Sequence, residues 1–171
     1  MKKYWWLFLM LFACVPVFSQ VDFISQLEHE KRYKPEEVLT ADKEIRLYEP
    51  LNLHLSWDSV RMCKGYACDG WITDYYENGL PLHKGYYIEG QLKHYTNFYP
   101  DGTKEREFQS LDSERSRMAK YYPDGSLKEE TYYFNDEPYK STTYYPNKKI
   151  KRTFELDKER AHLLYDKKYY E

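Results

Sequence analysis

Apolar and polar residues alternate along most of this chain, and the alternation is interrupted at a constant interval. In "NFYPDGT" (97–103) an aromatic pair runs into Pro-Asp-Gly and a new alternating stretch follows. "KYYPDGS" (120–126) repeats the arrangement. Tyr76, Tyr99, Tyr122 and Tyr145 stand 23 residues apart, each preceded by another aromatic residue: Tyr75, Phe98, Tyr121 and Tyr144. Period-two runs of about six residues are the signature of half-buried strands. Pro100 sets φ for the second turn position, Asp101 suits the third, and Gly102 supplies a left-handed residue. Asp124 and Gly125 repeat these roles, and Gly79 is equivalent to both glycines, whereas the fourth copy carries Lys148 there. One repeat therefore predicts one β-hairpin with two reversals.

Strand geometry sends successive side chains to opposite faces. The Tyr76, Tyr99, Tyr122, Tyr145 series then forms a column on one face, and the residues preceding them form a column on the other. Tall rings of this kind cover a sheet and stack on those of the next hairpin. The pattern predicts an all-β fold: an antiparallel meander of about four 23-residue hairpins in an elongated single sheet. Before it, Val21, Ile24 and Leu27 recur at helical steps, which predicts a short helix over 21–33. "KPEEVLTADKEI" reads as a polar connector. "LNLHLSW" alternates strictly, which predicts a strand over 51–57. The N-terminal segment is thus 20–64, the repeat sheet 65–160, and 161–171 a terminal cap, because the tail does not complete another copy.

The first nineteen residues have a different logic. "MKK" is a basic start, the next residues are apolar over a length short for a membrane span, and "VFSQ" offers Val17 and Ser19 for cleavage before Gln20. This reads as a secretory signal peptide, giving a periplasmic or secreted protein; the alternative is a lipoprotein anchored through Cys14, the one case that implies membrane association. Cleavage removes Lys2 and Lys3 and no acid, so the formal net charge moves from −2 to −4. That balance argues against a nucleic-acid partner. Export also leaves two cysteines, Cys63 and Cys68, and an oxidising compartment allows them to pair or to remain two buried thiols. Aromatic residues make up 19% of the chain, with 20 Tyr, which favours sheet.

"GYACDGWITDYYENGLPLHKGYYIEG" (65–90) resembles the MORN-like repeat, in the variant found in the bacterial YwqK-type antitoxin family. Gly70-Trp71, Tyr75-Tyr76, Asn78-Gly79, Gly85, Tyr87 and Gly90 take the places of that pattern, and the resemblance extends over about residues 65–155. Later copies depart from it: Lys93-His94 and Ser116-Arg117 replace the Gly-Trp pair, and Phe108, Thr131 and Phe154 replace Gly85. The resemblance implies a β-hairpin meander without catalytic activity. Some members resemble toxin-neutralising or immunity proteins; others belong to bacterial envelopes.

Nothing in the chain spells out a reaction. No two of the five histidines stand at ligand spacing, two Cys are half of a zinc site, and the turn role already explains Asp101 and Asp124. No catalytic residue, metal or cofactor is expected. "NKKIKR" (147–152) places basic charge beside aromatic residues; it reads as a charged edge that discourages sheet aggregation, or as a seat for an anionic lipid or glycan headgroup. The expected function is that of an exported, non-enzymatic module that binds a protein, a toxin or an envelope component, through its aromatic faces. Tyr76, Tyr99, Tyr122 and Tyr145, with Trp71 and Tyr87, are the candidate contacts. The alternatives are a toxin-neutralising immunity protein and an envelope scaffold that binds glycan or lipid.

Overall fold

The computed structural model describes residues 32–57, 59–157 and 162–170. The expected signal peptide, Cys14 and most of the expected helix over 21–33 lie outside these residues. The end of that helix, Arg32–Tyr33, is instead a two-residue strand, β1, which pairs in parallel with Tyr75 and Tyr76. A four-residue helix, α1 (Pro35–Val38), follows, with Pro35 at its first turn where no backbone donor is needed.

The sheet follows the predicted meander. A small ribbon, β2 (Met62–Cys63) and β3 (Tyr66–Ala67), precedes it. Four hairpins come next: β4 (Gly70–Tyr76) with β5 (Pro81–Ile88), β6 (Gln91–Phe98) with β7 (Lys104–Ser110), β8 (Arg115–Tyr121) with β9 (Leu127–Phe134), and β10 (Glu137–Tyr144) with β11 (Ile150–Leu156). The tail contributes β12 (Leu163–Lys168). Ten strands join in one sheet in the order β1-β4-β5-β6-β7-β8-β9-β10-β11-β12, antiparallel throughout except at β1. The terminal residues expected as a cap are thus the last strand of the sheet itself.

Each hairpin is closed by the same turn. The amide of the fourth turn residue donates to the carbonyl of the column tyrosine, as from Gly102 to Tyr99 at 2.8 Å and from Lys148 to Tyr145 at 2.8 Å. The carboxylate of Asp101 accepts from the amide and hydroxyl of Thr103, and Asp124 does the same for Ser126. Asn78 and Asn147 use their amide oxygens in the same way on Leu80 and Lys149. Gly102 has φ 87°, and Lys148 at the equivalent place takes φ 67° itself rather than passing the strain to Asn147.

A bulge follows every turn, and it turns two consecutive side chains towards one face: Leu82 with His83, Glu105 with Arg106, Lys128 with Glu129, Lys151 with Arg152. That face is covered over β4–β9 by the N-terminal segment. Val38, Ile45 and Tyr48 pack with Leu82, Tyr87, Leu92, Tyr95, Phe108 and Met118 to form the core. The expected strand over 51–57 is not formed. Glu49–Leu51 and Leu53–Leu55 are two short 3₁₀ turns, and the alternation is used in the opposite sense. Asn52 and His54 are the buried residues, and the His54 ring stacks on Phe108 with centroids 4.1 Å apart. Among the described residues, no helix is long and apolar enough to cross a membrane.

Candidate functional site

The column tyrosines have a structural task. Each donates its hydroxyl to a backbone carbonyl one repeat further on: Tyr76 to Phe98 at 2.7 Å, Tyr99 to Tyr121 at 3.0 Å, Tyr122 to Tyr144 at 2.8 Å, and Tyr145 to Tyr169, just past β12, at 2.9 Å. The spacing of the repeat is what makes this possible, because it sets each ring beside the equivalent strand end of its neighbour. Tyr76 is fully buried and Tyr99 nearly so, whereas Tyr122 and Tyr145 are half-buried. Tyr87 is also fully buried, with its hydroxyl between Arg61 and His83. Tyr76 and Tyr87 therefore have no surface to offer a partner, a correction to their expected role: the N-terminal segment occupies the face they line.

Under that segment lies a polar cluster that the sequence did not announce. Asp74 on β4 is fully buried, and both its carboxylate oxygens accept from Arg61 at 2.7 Å. The Tyr48 hydroxyl also donates to Asp74, and the Tyr48 ring stacks on His83 at 3.7 Å. Burial and the adjacent carboxylate raise the Tyr48 hydroxyl far above its ordinary value, so it stays a donor. Burial works against the Arg61 charge, but the bonds to Asp74 outweigh it and hold the guanidinium protonated. The His83 ring bonds Asn97 at 2.7 Å and the Tyr87 hydroxyl at 2.9 Å. Asp74 and His83 are fully buried here, and only the Arg61 side chain reaches the surface, 13% exposed. The cluster resembles a reactive site in composition and acts as a clasp between the cover and the sheet.

Burial also sets a pH dependence. It lowers both His83 and His54 to about 4 from an ordinary 6.5. The unfolded chain takes up protons as pH falls below 6.5, while the folded chain keeps both rings neutral down to about 4. The contribution to stability is therefore full above that range and falls across it. Buried Glu105 is shifted upward by burial and opposes the trend. Urea unfolding should show stability dropping from about pH 7 to about pH 5, by on the order of 1 kcal/mol per pH unit for each histidine. His83→Gln should flatten the slope, and a wild-type slope of zero would contradict this account.

Among the described residues, nothing covers the opposite face. Trp71 on β4 stands 54% exposed, with Tyr86 at 5.4 Å, His94 at 5.6 Å edge-on, and the Lys84 ammonium 5.2 Å above its ring. Cross-strand pairing explains the grouping, since Trp71 lies opposite Tyr86 and Tyr86 opposite His94. Ile88, two residues beyond Tyr86 on the same face, is 47% exposed. At this end of the sheet the β2–β3 ribbon is fastened down. A disulfide joins Cys63 to Cys68, and Arg61 and Cys68 exchange backbone bonds with Gly90. Gly90 has φ 77°, and a Cβ there would meet the Arg61 carbonyl oxygen at 2.7 Å, so only glycine permits the ribbon to dock so closely. The ribbon presents Met62 at 58% and Tyr66 at 80% exposure.

Of the expected contacts, then, Trp71 is surface-borne, Tyr122 and Tyr145 are partly accessible, and the rest are interior. Lys84, Tyr86 and His94 were not singled out from sequence; only pairing register brings them to Trp71. Among the described residues no group of three His, Cys, Asp or Glu side chains is placed to hold a metal ion.

No protein-family model matches the chain, and no curated protein matches it. Among solved structures, the chain is similar to TarM, at 12% identity and TM-score 0.35, covering 88% of this chain and 23% of that one. A variant of S. aureus TarM in complex with fondaparinux, alpha-GlcNAc-glycerol and UDP matches at the same identity and TM-score over 86% and 22%. The chain thus spans less than a quarter of the length of these proteins.

Proposed function

We propose that this chain is an exported, non-enzymatic binding module of the MORN-like repeat class, and that it recognises a protein partner. One observation carries the reading: Trp71, Tyr86, Ile88, Met62 and Tyr66 are large apolar side chains left exposed at one end of the sheet. They are held there by cross-strand pairing, a disulfide and a glycine-dependent backbone contact. Rigid aromatic residues bury area at low entropic cost, and residues of this kind dominate the energetics of protein interfaces. Lys84 and His94 add a polar rim. Neutralisation of a toxin is a narrower form of the same reading, in which the partner is one dedicated protein.

The test is a crosslinked pull-down from the native cell envelope with residues 20–171 as bait, repeated with Trp71→Ala and with Tyr66→Ala. The expected result is one protein in near-stoichiometric amount, with its capture reduced roughly 30-fold by Trp71→Ala, as for an aromatic residue central to an interface. The thermal midpoint should stay unchanged, because Trp71 supports no core contact. Capture indifferent to both substitutions would sink the reading.

A further inference from the structure

The covered face does not end where its cover ends. Beyond β9 it continues over β10–β12 with none of the described N-terminal residues above it, and there it forms a concavity of about 470 Å³. Four basic side chains line this space, Lys128, Lys151, Arg152 and Lys168, against one carboxylate, Glu129. Tyr122, Tyr144, Tyr145, Tyr169 and Tyr170 form its aromatic wall. The register explains the charge. The bulge that places Glu105 and Arg106 under the cover places Lys151 and Arg152 here, and Lys168 stands opposite Arg152 on β12.

The covered half shows what this stripe accepts. Glu44 of the N-terminal segment lies 3.3 Å from Lys128, 4.0 Å from Lys120 and 3.9 Å from Arg106, and Glu49 lies 3.4 Å from Arg106. A stretch of irregular chain that ends in a 3₁₀ turn thus crosses the basic stripe and sets carboxylates on it. These cations hold the Glu44 carboxyl below its ordinary value even though burial opposes the charge. In the open half Arg152 is held by Asp166 at 2.8 Å. Lys151 rests its ammonium over the Tyr145 ring at 5.6 Å, and among the described residues neither it nor Lys168 has a carboxylate at ion-pair distance.

We infer that the open groove of Lys151, Arg152, Lys168 and Lys128 is a second binding site, for an extended acidic peptide segment of a partner protein. Its carboxylates would meet Lys151 and Lys168 as Glu44 meets Lys120 and Lys128, with apolar side chains against Tyr122, Tyr145 and Tyr169. A peptide fits better than a lipid or sugar anion because the same face already recognises the carboxylates of a peptide chain. The inference does not depend on the Trp71 end of the sheet, which is a separate surface.

The experiment is fluorescence anisotropy of a labelled oligoglutamate peptide on the full exported chain at low salt, with oligoglutamine as control. Oligoglutamate should bind and oligoglutamine should not. Lys151→Glu with Lys168→Glu should weaken binding by at least ~10-fold, since like charge replaces attraction. Lys151→Gln with Lys168→Gln, which perturbs the fold least, should weaken it in the same direction. Lys93→Glu and Trp71→Ala should leave it unchanged. Absence of binding, or equal weakening by Lys93→Glu, overturns the site. So does displacement of the peptide by phosphatidylglycerol vesicles or polygalacturonate at lower charge concentration, which would reassign the groove to lipid or to glycan.

Discussion

Asp74→Ala is expected to cost the fold roughly 3–5 kcal/mol, the range for removing one partner of a buried ion pair. The carboxylate is fully buried, binds Arg61 through both oxygens and accepts from Tyr48. Its loss leaves a guanidinium whose side chain is only 13% exposed without its counter-charge. It also leaves the Tyr48 hydroxyl without an acceptor. Tyr48 and Arg61 both come from the segment laid over the sheet, so the damage should appear first as opening of that segment. Hydrogen exchange would read it in the amides of residues 38–55, and urea unfolding would give the global loss. The pair Arg61→Met with Asp74→Leu should recover much of the stability, because replacing both charges removes the desolvation cost that either single change exposes. A loss below about 1 kcal/mol in Asp74→Ala would show that the apolar core alone holds the cover.

The second large effect is graded along the tyrosine ladder. Tyr76→Ala should destabilise by roughly 3–5 kcal/mol, as large core truncations do. The equivalent Tyr145→Ala, at the partly open end, should cost less than about 1 kcal/mol. All four rings make the same bond to a neighbouring carbonyl. Tyr76→Phe separates the bond from the packing and should cost about 1–2 kcal/mol, since it leaves the Phe98 carbonyl without its donor. Urea midpoints for the three variants test the gradient. Equal losses at Tyr76 and Tyr145 would mean that the hydrogen bond, not burial, sets the contribution of each rung.

The repeat was legible because it is written in local chemistry. A turn needs Pro, Asp or Asn and Gly at fixed offsets, and a strand needs alternation, so the hairpins, their number and their order follow from residues close in sequence. The segment 51–57 shows where that reasoning fails. Its alternation is real, but Asn52 and His54 are the buried residues, because Phe108 and Tyr133 offer the His54 ring an aromatic seat. Nothing within the segment records that seat. Gly85 makes the same point in reverse. A Cβ there would collide with His83, Leu92 and Tyr87, whereas in the next repeat Phe108 fills the equivalent place and packs against His54 and Tyr95. The departure from the repeat pattern is thus one of packing rather than of fold.

The sequence by itself determined the strands of the repeat, the turns, the meander and the tyrosine column at the repeat spacing, since each rests on interactions between residues a few positions apart or one repeat apart. Only the tertiary structure decided which face is core. That choice belongs to a short N-terminal segment of 3₁₀ turns and extended chain, which reaches far along the sheet to place Tyr48 on His83 and Glu44 among Arg106, Lys120 and Lys128. In its described residues the segment covers less than the whole sheet: it buries Tyr76 and Tyr87, leaves Trp71 on the free face, and stops short of Lys151 and Lys168. Burial is a property of what lies above a residue, and a repeat of identical rungs carries no mark of where its cover ends.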